Sequence, residues 1–176
     1  GSAVQVDGGT VSIIAGGGSG NRTVALDENG EAVSAKGVKA SAELVINQVT
    51  LSIDSQDDAI HSNINTVING GELSLATGDD GIHADETAEI TGGSIIISDS
   101  YEGIEGNKVE ISGGEIRLYA ADDGLNAAGG NDRSGFGGMF GGERFGNAGG
   151  RGAGDGSFGN RGAETGSSGS RDVGNG

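Results

Sequence analysis

The chain has 176 residues and a formal net charge of −16, with no Cys, no Pro and 39 Gly. An acidic surface repels phosphates and so argues against nucleic acid as a partner. No apolar run approaches the length of a membrane span, and the lack of Cys removes a disulfide framework without excluding an extracellular home. The charge is uneven. Residues 1–128 hold 21 acids against 5 bases, whereas 129–176 hold 5 of each and 19 of the Gly. Gly1-Ser2 reads as a cloning remnant or the cut edge of a fragment.

From Val4 the chain shows short runs in which apolar residues alternate at period 2, the signature of strands. The runs recur. Coils start at Val4, Leu44, Thr66, Ala88 and Val109, from Leu44 onward at a period of 22 and finally 21 residues. A fixed period near 20 residues marks a solenoid. Six columns point inward on this alignment. Examples are Val6, Ile46, Ile68, Ile90, Ile111 and Ile13, Ile53, Leu75, Ile97, Leu118. Paired Gly at 8–9, 70–71, 92–93 and 113–114 suit tight turns with positive φ. The first coil carries an insertion within 15–34 and rejoins at Lys36-Gly37-Val38-Lys39-Ala40. The predicted fold is all-β: a right-handed parallel β-helix of about five 21–22-residue coils over residues 3–128. The Gly-rich segment 129–176, with all four Phe, reads as a flexible low-complexity tail.

One phase of the repeat is acidic. Asp57-Asp58-Ala59-Ile60-His61 is followed by Asp79-Asp80-Gly81-Ile82-His83, Tyr101-Glu102-Gly103-Ile104-Glu105 and Asp122-Asp123-Gly124-Leu125-Asn126. With coils about 4.8 Å apart, Asp58, Asp80, Glu102 and Asp123 stack in one column. Asp57, Asp79, Tyr101 and Asp122 stack beside them. Neighbouring carboxylates at that spacing repel by about 3–4 kcal/mol at an effective dielectric near 20. A divalent ion reverses the sign, and hard oxygen donors favour Ca2+. Glu105 and Asn126 add oxygens. Neither the EF-hand spacing nor the Gly-Gly-x-Gly-x-Asp nonapeptide is present. Turn formation explains one Asp-Gly step but not paired acids in several coils.

His61 and His83 stack at one phase, either as a transition-metal ligand or a base, or as a polar ladder steadied by the acids when protonated; the ladder is the expectation, and both stand among the candidate carbohydrate-binding residues. Tyr101 and Tyr119 are the two aromatic residues of the solenoid and candidates for sugar stacking. The four acidic motifs, with Lys36-Gly37-Val38-Lys39-Ala40 before them and Asn126-Ala127-Ala128-Gly129-Gly130 at their end, resemble a family of bacterial secreted carbohydrate-binding β-helix proteins related in fold to polysaccharide lyases. The resemblance implies a pectate-lyase-type β-helix, bound calcium and affinity for plant cell-wall polysaccharides, acidic pectin-like chains and cellulose, outside the cell or on the bacterial surface. Members continue with further coils, so the chain reads as a fragment or a shortened variant; Asp58-Ala59 departs from the family's Asp-Gly step.

Three functions follow as expectations. The first is a non-catalytic, calcium-dependent polysaccharide-binding module. The second is a structural solenoid with end-to-end self-association. The third is a lyase, for which the basic residues of the acidic phase are Lys36 and Lys39, while Arg117 lies on another face.

Overall fold

A computed structural model describes residues 2–127, which form strands and turns with no helix. Three sets of strands wind round one axis. The first face holds β1 (Val4–Val6), β4 (Glu43–Ile46) and β7 (Asn65–Ile68); the second holds β2 (Thr10–Ala15), β5 (Thr50–Ser55), β8 (Glu72–Thr77), β10 (Ser94–Asp99) and β12 (Glu115–Leu118). The third holds β3 (Val38–Ala40), β6 (Ile60–Ser62) and β13 (Leu125–Asn126). In the later coils the third and first faces run together as β9 (Ile82–Ile90) and β11 (Ile104–Ile111). Every pairing between these strands is parallel. The path from β2 to β12 makes four turns between five rungs, a parallel β-solenoid. The segment 129–176 lies outside the described residues.

The register is the one the repeat dictates. Val6 lies opposite Ile46, Ile46 opposite Ile68 and Ile68 opposite Ile90, ending at Ile111. Ile13, Ile53, Leu75, Ile97 and Leu118 form another such stack. Side chains on one face of a strand recur at every second residue, so these stacks meet in a common interior. Leu44, Ile46, Ile53, Ile60, Ile82, Ile90 and Ile104 are fully buried there, each contributing about 1.5–3 kcal/mol. Columns thin toward both ends: Val4 and Val6 are half-buried, and Ile111 and Leu125 are exposed.

Two irregularities position the site. The last coil is one residue shorter because β11 loses a residue against β9 between Gly106 and Lys108. The insertion spans 16–37, between β2 and β3, where the next coil uses only 56–59. It is tied to the next coil. Gln56 Nε2 donates to the Asn21 and Thr23 carbonyls at 2.9 Å, and the Ser19 amide donates to Asp54 Oδ1 at 2.6 Å. The paired-Gly turns hold as expected: Gly71 and Gly93, second of their pairs, have φ of 102° and 101°.

Candidate functional site: a carboxylate and imidazole ladder

The acidic phase falls at the corner between the second and third faces. Backbone amides set its register. Gly37 donates to the Asp58 carbonyl, Ala59 to Asp80, Gly81 to Glu102 and Gly103 to Asp123. Lys36, Asp58, Asp80, Glu102 and Asp123 therefore occupy one column, as the repeat predicts. The corner is cramped. A Cβ on Gly81 would lie 2.6 Å from the Gly103 carbonyl oxygen and 2.6 Å from Ile97 Cδ1. Space, not positive φ, requires Gly here; in the coil below, Ala59 is fully buried at the same phase.

The column is not a solvent-facing acid edge. Asp58, Asp80 and Glu102 are buried, as are Glu105 and Asn126. Buried charges need partners, and the chain supplies several. Lys36 Nζ donates to Asp57 Oδ1 at 2.9 Å and to Asp58 Oδ2 at 2.5 Å. His61 Nδ1 lies 2.7 Å from Asp58 Oδ2. His83 Nδ1 lies 2.9 Å from Asp80 Oδ2 and 2.6 Å from Glu105 Oε2, while its Nε2 faces Asp85 Oδ1 at 3.1 Å. At the first rungs the chain's own ammonium thus contacts two of the stacked carboxylates. Asn126 presents an amide N–H: its Nδ2 donates to Glu102 Oε2 at 2.9 Å.

Lys39, His61, His83, Glu105 and Asn126 form the neighbouring column by strand register. The two imidazoles stack on each other and are half-buried. Protonation follows from these contacts. Burial works against the Asp58 anion, but the His61 hydrogen bond and the Lys36 charge overcome it and hold this carboxyl below the ordinary range. Asp80 goes the other way. Burial, reinforced by the charges of Asp58 and Asp79, outweighs its bond to His83 and pushes it up to about 8. For His83, burial opposes the charge, yet the hydrogen bonds to Asp80 and Glu105 raise it to about 11. Lys36 is desolvated too, but Asp58 and Asp57 raise it above its usual value.

Three clusters offer ligand atoms within 4.8 Å of one another: Asp57, Asp58 and Asp79; Asp58, His61 and His83; and Asp80, His83 and Glu105. The first is all oxygen, the donor chemistry calcium takes; Asp80, of the third cluster, has its Oδ1 buried without a hydrogen-bond partner. Glu102, Asp122 and Asp123 join none of these clusters, and the last two are exposed. Tyr101 is half-buried, its backbone carrying the second column from Asp79 to Asp122; Tyr119 is 79% exposed.

Three features went unread in the sequence: Lys36 as the column's own cation, Asp85 behind His83, and a polar ladder at the glycine corner. In that ladder Asn47 Nδ2 donates to Asp7, Asn69 Nδ2 to Asn47 and Thr91 Oγ1 to Asn69. Beside it runs a shallow groove of about 520 Å³ over Gly70 and Gly71, edged by Gln48 and Glu72 and lined by no aromatic ring.

Among the described residues no helix is long and apolar enough to cross a membrane. No curated protein and no solved structure matches the chain. A family model described as carbohydrate-binding domain-containing protein matches residues 1–81, a stretch that takes in Asp57, Asp58, His61, Asp79 and Asp80 and stops short of His83.

Proposed function

We propose that the chain is a non-catalytic polysaccharide-binding module that acts outside the cell and grips acidic, pectin-like chains through calcium. The observation that carries this reading is the convergence of Asp57, Asp58 and Asp79, carboxylates of two adjacent coils, at a corner where Asp57 and Asp79 remain half-exposed. A calcium ion there neutralises the excess charge that Lys36 alone does not and keeps coordination positions for uronate oxygens. The carbohydrate-binding family match over residues 1–81 supports the ligand class. The scarcity of aromatic platforms favours a charged sugar over a neutral one.

The lyase alternative is weakened at Lys36, one of its two candidate bases; the other, Lys39, is exposed beside His61. Lys36 is held between Asp57 and Asp58 with its pKa raised, so it stays protonated. Arg117 is engaged with Glu115 on the second face. Retention on polygalacturonate and on cellulose, each with calcium or with EGTA, tests the proposal. Calcium-dependent retention on polygalacturonate is expected. Retention unchanged by EGTA overturns the calcium bridge, and retention on neither polymer overturns the polysaccharide reading.

A further inference from the structure

We propose that Asp80, His83 and Glu105 form a second metal site, selective for a divalent transition ion of the zinc class rather than calcium. Four observations converge on it. The donor set is one imidazole nitrogen with two carboxylate oxygens, at 2.9 and 2.6 Å from Nδ1. Calcium takes oxygen ligands, whereas imidazole with carboxylates suits zinc and its neighbours. Metal bonds of about 2.0–2.1 Å in a tetrahedron set ligand atoms about 3.3 Å apart, so the two oxygens need to move away from Nδ1 by about 0.4 and 0.7 Å.

Second, His83 has a carboxylate behind it. Asp85 Oδ1 sits 3.1 Å from Nε2. With an ion bound in place of the Nδ1 proton, a carboxylate on the far nitrogen would keep the remaining proton on Nε2 and leave the Nδ1 lone pair for the metal, the arrangement that orients metal-bound histidines. Third, Asp80 is 5% exposed and its Oδ1 has no hydrogen-bond partner. Buried carboxylate oxygens are ordinarily satisfied, and an orphan calls for a partner such as an ion or a water. Fourth, the cation is already built in one coil below. There Asp58 and His61 share Asp58 Oδ2 with the Lys36 ammonium. One level up, the place that Lys36 holds beneath Asp58 is taken, beneath Asp80, by Asp58, an acid rather than a base. The His61 ring, 4.7 Å beneath, covers one face of His83 and limits its motion. The ligands stand on or beside paired strands, His83 directly opposite Glu105, so the site is held by backbone register.

The test uses the full chain stripped with EDTA and titrated calorimetrically with ZnCl2 and, separately, CaCl2. One zinc per chain is expected, still bound in millimolar calcium. His83→Gln should weaken zinc at least 100-fold, and Asp85→Asn about 10- to 100-fold. With only two histidines in the chain, imidazole nitrogen NMR reads the site directly: zinc should move His83 Nδ1 far more than either nitrogen of His61. Glu105→Gln, with its fold checked by circular dichroism, serves if His83→Gln does not fold. No zinc binding by the wild type, binding unchanged in a folded variant, or full displacement by equimolar calcium overturns the site. Polygalacturonate retention, measured on the same zinc-loaded and stripped samples, separates failure of this site from failure of the polysaccharide reading.

Discussion

The imidazole rings of His61 and His83 lie 4.7 Å apart and 13° from parallel, one rung above the other. Each is pinned by a carboxylate three residues earlier in its own coil, Asp58 and Asp80. The same motif repeated one turn later therefore gives the same pair, but only the lower one also has a lysine. That asymmetry drives the outcomes expected below.

Removing the lysine exposes the imbalance. Lys36→Met should destabilise the metal-free protein by about 2–4 kcal/mol, because it leaves buried Asp58 with less compensation. The same variant should bind calcium more tightly, since the ammonium no longer contacts Asp57 and Asp58. Urea denaturation and calcium titration of the two proteins check both points.

Neutralising the orphaned acid should do the reverse. Asp80→Asn retains size and removes a charge disfavoured by burial and by Asp58 and Asp79. At pH 8 without metal, a gain on the order of 1–2 kcal/mol is expected; equal or lower stability contradicts the buried-charge account.

Stability of the metal-free protein should fall as pH rises. Asp80 is raised to about 8, so its contribution is fully present below its unfolded value near 4 and is lost as pH climbs through 8. His83, raised from 6.5 to about 11, contributes below 6.5 and loses that contribution between 6.5 and 11. Asp58 is lowered, so its term is present above about 4 and lost below. The expected maximum lies in mildly acid solution, and melting temperatures from pH 4 to 9 in EDTA locate it. Saturating metal should flatten the alkaline fall, since an ion bound only by the folded chain stabilises it.

The cramped corner predicts a contrast between two small substitutions. Gly81→Ala forces a Cβ against the Gly103 carbonyl and Ile97 and should cost about 1–3 kcal/mol. Ala59→Gly, at the same phase, should cost about 1–2 kcal/mol through backbone entropy and the lost burial of one methyl, with no steric clash. Thermal melts of both variants decide it.

The sequence disclosed whatever recurs. Ile46, Ile68 and Ile90 announce their stacking because side chains sharing one phase must share one face, and the acid column follows by the same reasoning. Two kinds of information escaped. Asp85 stands two residues after His83, where the other coils carry Ser41, Asn63 and Asn107; a residue without copies leaves no periodic trace. The depth of Glu102 and Glu105 was also hidden. Inward and outward alternation is a property of extended strands, and it lapses where the chain turns the corner. Lys36 was visible at the acidic phase, but as a potential base; its role as counter-charge needed the distances to Asp57 and Asp58.

The long excursion at 16–37 departs and returns on a single rung, leaving Val38 paired with Ile60 as if nothing intervened. Its Ser19 carbonyl reaches Gly78 in the coil beyond, 3.6 Å from where a Cβ would stand. The excursion is thus fastened against two further coils, and trimming it would leave Gln56 Nε2 without its Asn21 and Thr23 carbonyls and Asp54 Oδ1 without the Ser19 amide.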